Sequence, residues 1–180
     1  MEYVQPIRDI TKIDEMKIVL REQSERNYML FLLGINTGLR ISDILRIRVC
    51  DIKGKSILII REKKNSKVAK LPIAGIKGEI EKYIRGMEDD EYLFTSQKGE
   101  NTPITRVQAY RILNNAAREV GLQEIGTHTL RKTFGYHFYQ QTKDIAMLQL
   151  IFNHTDQSTT LRYIGITEEM IENTLVKFRL

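Results

Sequence analysis

A mainly helical α+β domain with one small antiparallel β-sheet is the fold class this sequence predicts, and three observations predict it. Apolar residues recur at helical spacing along most of the chain, beginning with Ile13, Met16, Val19 and Leu20. Residues 56–73 break that rhythm. There, residues 56–60 and 68–73 are rich in β-branched side chains, and Lys63-Lys64-Asn65-Ser66-Lys67 between them reads as a basic hairpin turn. Finally, 180 residues with 42% hydrophobic content suffice for one domain with an ample core, and no repeat, linker or low-complexity stretch divides them.

Taken in order, Thr11 and Asp14 resemble a capping box opening the first helix. Ser24 caps the next, whose residues 28–35 are apolar almost all round, so that helix belongs in the centre of the core. It ends at Asn36-Thr37-Gly38, and a new helix follows with Ile41, Ile44 and Leu45 inward. Beyond the two strands, residues 76–85 alternate charge with Ile76, Ile80 and Ile84 as a surface helix. Tyr92-Leu93-Phe94 interrupts a polar connection as a short strand or anchor. Residues 105–120 form a helix with Val107, Tyr110, Leu113, Ala117 and Val120 inward, stopped by Gly121. Thr127 caps a helix carrying His128 and Arg131, and Asp144 caps the next, with Met147 and Leu148 in the core. Residues 158–163 give one short helix, and Thr167 opens the last.

The net charge of +5 and pI of about 9.3 point to an anionic partner, and the distribution sharpens this. Residues 61–70 hold five cations and one acid, with Arg131 and Lys132 further on. The single cysteine, Cys50, excludes an internal disulfide, and a buried apolar role is expected for it. No Cys/His spacing suggests zinc. The N-terminus is polar rather than signal-like, and no apolar run approaches the roughly 18 residues of a membrane helix, so a reducing cytoplasm is the expected compartment.

The chemistry concentrates late. His128 and Arg131 are three apart and share a helical face, and His154 and Tyr163 follow closely. A cation, two imidazoles and a phenol together suggest phosphate chemistry with Tyr163 as nucleophile. A tyrosine ionises near pH 10, so its use near neutrality needs cations around the phosphate and a proton acceptor. Earlier, Arg40 follows the turn ending the most buried helix, where a guanidinium can grip a phosphate bidentately, and Asp43 is placed to orient it. His137, nine residues after His128, falls off that face and reads as structural, with Tyr136 and Tyr139 as packing residues.

These runs, Thr37-Gly38-Leu39-Arg40-Ile41-Ser42-Asp43, then His128-Thr129-Leu130-Arg131, then His154 with Tyr163 nine residues on, resemble the tyrosine recombinase (phage integrase) catalytic domain over about residues 10 to 165. The order, the spacing and the Thr159-Thr160 pair ahead of the tyrosine all match. The resemblance implies the tyrosine recombinase catalytic-domain fold and a site-specific DNA recombinase or integrase of a phage or other mobile element. It implies Arg40, His128, Arg131, His154 and Tyr163 as catalytic, with Asp43 supporting. The family's lysine lies in a β-hairpin turn. Counting back from Pro72 favours Lys64, with Lys63 and Lys67 as rivals; Lys63, Lys67 and Lys132 are the candidate DNA contacts. Cleavage through a 3′-phosphotyrosyl link keeps the bond energy, so neither ATP nor a metal is required, and no cofactor is expected. The sequence carries no P-loop glycine pattern and no carboxylate cluster for magnesium.

The implied partner is double-stranded DNA, engaged by a homo-oligomer, a tetramer in the assembled state. Relatives usually carry a separate N-terminal DNA-clamping domain, whereas here residues 1–180 read as the catalytic domain alone, with 167–180 as a helical tail. One departure is Phe152-Asn153 where the family has Leu-Gly before the histidine; Asn tolerates left-handed backbone angles, so the turn is expected to survive. Two alternatives remain beside strand exchange: a type IB topoisomerase-like activity, which would relax plasmids without recombining them, and a non-catalytic DNA-binding regulatory relative, in which Tyr163 is only a packed phenol.

Overall fold

The computed structural model describes residues 4–62, 67–123, 125–126, 128–166 and 168–179, with backbone alone at 168, 169, 171, 173 and 174. Lys63, Lys64, Thr127 and Thr167 lie outside the described residues.

Helix α1 (Ile10–Gln23) buries Ile13, Met16 and Leu20, and α2 (Glu25–Thr37) buries nearly every residue from Asn27 to Gly34. The first cap differs from the expected one: the Asp9 carboxylate, not Thr11, accepts the Thr11 backbone N–H at 2.8 Å. An acid two positions earlier reaches a free amide of the first turn and also meets the dipole's positive end. Ser24 caps α2 as expected, accepting from Asn27 N. Gly38 ends α2 at φ 64°, a left-handed angle, and a side chain there would also strike the Phe134 ring.

Two short helices follow, α3 (Ile41–Ile44) and α4 (Val49–Ile52). Then β1 (Ile57–Arg61) pairs antiparallel with β2 (Val68–Pro72), Ile57 opposite Pro72 and Arg61 opposite Val68. Within the two strands themselves only Leu58 is buried, so the hairpin projects from the domain. A single 3₁₀ turn leads into α5 (Lys77–Tyr83), with Ile76, Ile80 and Ile84 inward as expected.

Helix α6 (Arg106–Glu119) opens on a Thr105–Gln108 capping box. Its buried stripe runs through Ala109, Leu113, Ala116 and Ala117, leaving Val107 and Tyr110 exposed against expectation. Small alanines let α6 approach closely, and that rotates the bulkier pair outward.

Helices α7 (Thr129–Thr142), α8 (Ile145–Phe152), α9 (Gln157–Tyr163) and α10 (Glu168–Lys177) complete the chain. Leu148, Phe152 and Ile164 form a small second core with Phe134, Tyr139 and Tyr163 packed on it, apart from the main one. Met147 is half-exposed rather than core, because α8 turns only the Leu148–Phe152 side inward. Cys50 is also exposed, not buried: in the single turn of α4 the inward positions are Val49 and Ile52. Among the described residues no helix is long and apolar enough to cross a membrane.

Candidate active site

Residue 131 is the hub. Arg131 lies in the first turn of α7, only 3% exposed, and its Nη1 and Nη2 donate to the Gly38 and Phe152 carbonyls at 2.5 and 3.0 Å. Those carbonyls belong to the C-terminal ends of α2 and α8, the negative ends of two helices that lack intrahelical donors. One guanidinium therefore ties three helix ends together, with its carbon 4.2 Å from the Phe152 ring centroid. Burial pushes its pKa down, yet an arginine starts high enough to remain a cation.

Arg40 approaches from the turn between α2 and α3, half-buried, its Nη1 donating to the Glu62 carboxylate at the end of β1. Asp43 is buried at 3% exposure. Its negative charge, like that of Glu62, acts on Arg131. The carboxylate bonded to Arg40 is Glu62, which sequence reasoning missed. The available signal was a lone acid at a strand end inside an otherwise basic run.

Tyr163 closes α9, a helix started by Asp156, whose carboxylate accepts from the Thr159 N–H and the Ser158 hydroxyl. The phenol oxygen lies 3.5 Å from Nδ1 of His128, which precedes α7 and is exposed. Burial pushes the phenol pKa up; the charges of Arg131 and Arg40 and a hydrogen bond from Arg131 oppose it. His154 stands beside it, ring centroids 5.1 Å apart, with Nδ1 3.1 Å from the Thr160 hydroxyl. Asn153 adopts the left-handed turn (φ 53°) expected of it, and its Oδ1 accepts from Lys67.

Arg40, Asp43, His128, Arg131, His154 and Tyr163 are thus brought together, while Lys63 and Lys64 fall outside the described residues. Lys132, a candidate DNA contact by sequence, lies beside the nucleophile. It is 7% exposed, donates to the Val4 carbonyl at 2.7 Å, and sits with Nζ 5.2 Å from the Tyr163 ring centroid, because α7 carries it under the nucleophile. His137 is structural, its Nε2 2.9 Å from the Ile7 carbonyl. Among the described residues no three His, Cys, Asp or Glu side chains cluster as metal ligands do.

A helical domain that gathers two arginines, two histidines and a tyrosine behind a projecting hairpin has the fold of tyrosine recombinase catalytic domains. The chain matches the Phage integrase family over residues 6–170 and belongs to that family. It is 54% identical over 170 residues to the probable integrase/recombinase YoeC of Bacillus subtilis (strain 168), covering 94% of this chain and 93% of that one. The crystal structure of XerA recombinase superposes with a TM-score of 0.77 at 18% identity, covering 98% of this chain and 67% of that one. XerH site-specific recombinase, solved bound to its difH substrate in a pre-cleavage complex, gives 0.71 at 18% identity; this chain spans 56% of its length.

Proposed function

We propose that this protein cuts and rejoins double-stranded DNA at specific sites, with Tyr163 as the nucleophile. The observation that carries the reading is the phenol oxygen standing 3.5 Å from a histidine nitrogen while the charges of Arg131 and Arg40 act on it. The phenol oxygen attacks the scissile phosphorus, the bond to the 5′-oxygen breaks, and a 3′-phosphotyrosyl link and a 5′-hydroxyl result. His128, with Nδ1 unprotonated, takes the phenol proton. Arg40 and Arg131 neutralise the non-bridging oxygens as the pentavalent phosphorus forms, a contribution of about 3–4 kcal/mol per donor in comparable sites. His154, steadied by Thr160, hydrogen-bonds the phosphate, and Lys64 protonates the leaving oxygen. Attack by the 5′-hydroxyl of a second DNA end reverses the step, so no external energy source is consumed.

The wider reading is supported by membership of the family and by the basic charge of the chain. The DNA belongs to a phage or other mobile element, and the reaction takes place in the cytoplasm on a homotetramer. Residues 1–180 form one catalytic domain. Its tail, 167–180, docks on a neighbouring protomer: Leu175, Val176 and Phe178 are 64, 79 and 65% exposed in the single chain.

A nicked suicide substrate tests the proposal. Wild-type protein is expected to accumulate a covalent protein–DNA adduct, and Tyr163→Phe to form none while binding DNA as tightly, since the cationic contacts remain. An adduct in the Phe variant would assign the nucleophile elsewhere. No adduct in the wild type would favour the non-catalytic reading, and plasmid relaxation without recombination a topoisomerase. A 5′-bridging sulfur, which leaves without a proton, is expected to rescue Lys64→Ala but not Arg131→Ala.

A further inference from the structure

Glu62 is a buried acid in the most basic stretch of the chain, and nothing in the proposed chemistry requires a negative charge there. Its side chain is 7% exposed, although Arg61 before it and Lys67 across the hairpin are exposed. A carboxylate is buried at that depth only when its charge is matched, and Arg40 supplies the match through Nη1. A charge-assisted hydrogen bond to one nitrogen of a planar guanidinium restricts the direction of the whole fork. The backbone of the same residue closes the hairpin, its N–H donating to the Lys67 carbonyl at 2.9 Å. Lys67 in turn donates to Asn153, immediately before His154. Glu62 and Lys67, the residues on either side of 63–66, are therefore each fastened to a different segment of the site.

We infer that Glu62 is a positioning residue: its carboxylate sets the Arg40 fork in the orientation that meets a phosphate and fastens the lysine-bearing hairpin to it. The inference rests on the activity proposed above. It also carries a signature that scaffolding alone lacks. Glu62 is negative and close to where the phosphate binds, so removing it strengthens the attraction for DNA while loosening the group that must be aimed. Binding and cleavage then move in opposite directions.

The test compares Glu62→Gln and Glu62→Ala with wild type, measuring the DNA dissociation constant and the rate of covalent adduct formation at saturating suicide substrate. Glu62→Ala is expected to bind DNA as tightly as wild type or more so, and to form adduct about tenfold or more slowly, since small misplacements of aimed groups cost rates of that order. Glu62→Gln keeps an oxygen for Arg40 at unchanged volume, and is expected to recover most of the rate. In an Arg40→Ala background, removing Glu62 is expected to add no further defect. Equal rates in all variants, additive defects with Arg40→Ala, or parallel loss of binding and rate would each overturn the inference. The Gln variant decides the matter if the Ala variant does not fold: weaker DNA binding in it overturns the inference. A second readout is independent of activity: the Arg40 Nε–H signal in nitrogen-15-labelled protein is expected to be ordered in wild type and in Glu62→Gln, and averaged in Glu62→Ala. If wild type forms no adduct, the proposed activity fails by itself, and an Arg40 signal unchanged by Glu62→Ala would still sink the role of Glu62.

Discussion

Burial and cations pull the Tyr163 phenol in opposite directions, and burial is the larger influence without DNA. The resting nucleophile is therefore protonated at neutral pH, and a phosphate between Arg40 and Arg131 would bring the cations to bear where charge develops. Arg131 does a second job that makes it the least replaceable residue of the site. Its donors satisfy two buried carbonyls at helix ends, so Arg131→Ala is expected to lower unfolding free energy by roughly 1–3 kcal/mol for each carbonyl left unpartnered. Arg131→Lys keeps the charge but not the fork, and a point charge cannot meet both carbonyls and a phosphate. Denaturant unfolding is expected to show both variants destabilised, with adduct formation slowed by orders of magnitude even where Arg131→Lys remains folded.

The nucleophile's helix is held by two local devices. Gly135 in α7 lies so close to α8 and α9 that a Cβ would stand 2.7 Å from both Ile164 and Phe152. Gly135→Ala should gain up to about 1 kcal/mol of helix propensity and lose about 1–3 kcal/mol to overpacking. The expected outcome is net destabilisation with slowed adduct formation, because Ile164 adjoins Tyr163; an unchanged melting midpoint would contradict the packing. At the other end of α9, the Thr159 backbone N–H first, then the Ser158, Thr159 and Thr155 hydroxyls, hold the Asp156 carboxyl well below the usual carboxylate range. A depressed carboxyl contributes stability that is complete above its unfolded pKa of about 4 and is lost as pH falls through the folded value. Wild type is therefore expected to lose stability on acidification below about pH 4 more steeply than Asp156→Asn, which keeps a cap but cannot titrate. Melting curves across that range would check it.

At the scale of the whole molecule, a main core carries α1 to α6 while a smaller one beneath α7, α8 and α9 carries Tyr163. Arg131 and the strap at residues 4–8 join them: Val4 accepts from Lys132, Ile7 donates to Thr133, and Arg8 donates to the Gly165 carbonyl at 2.9 Å. The tail beyond that strap leaves Leu175, Val176 and Phe178 open. Deleting residues 167–180 is expected to leave a folded domain, judged by its melting midpoint, with altered synapsis and perturbed cleavage. A truncated chain unfolded at every concentration would show that the tail belongs to its own core.

What the residues determined by themselves was local and repetitive: helical period, the Ser24 and Asp144 caps, the Gly38 stop, the hairpin strands to within a residue, and the order of Arg40, His128, Arg131, His154 and Tyr163. Each depends on neighbours a few positions away, and a sequence displays those directly. Tertiary structure decided which face won where two were apolar, turning Val107, Tyr110 and Met147 outward and exposing Cys50. It also decided charge pairing across distance. Glu62 reaching Arg40 from 22 positions away, and Lys132 turning under Tyr163, depend on where a hairpin and a helix come to rest. No local period records that, because the force that buries a carboxylate is the charge it meets there.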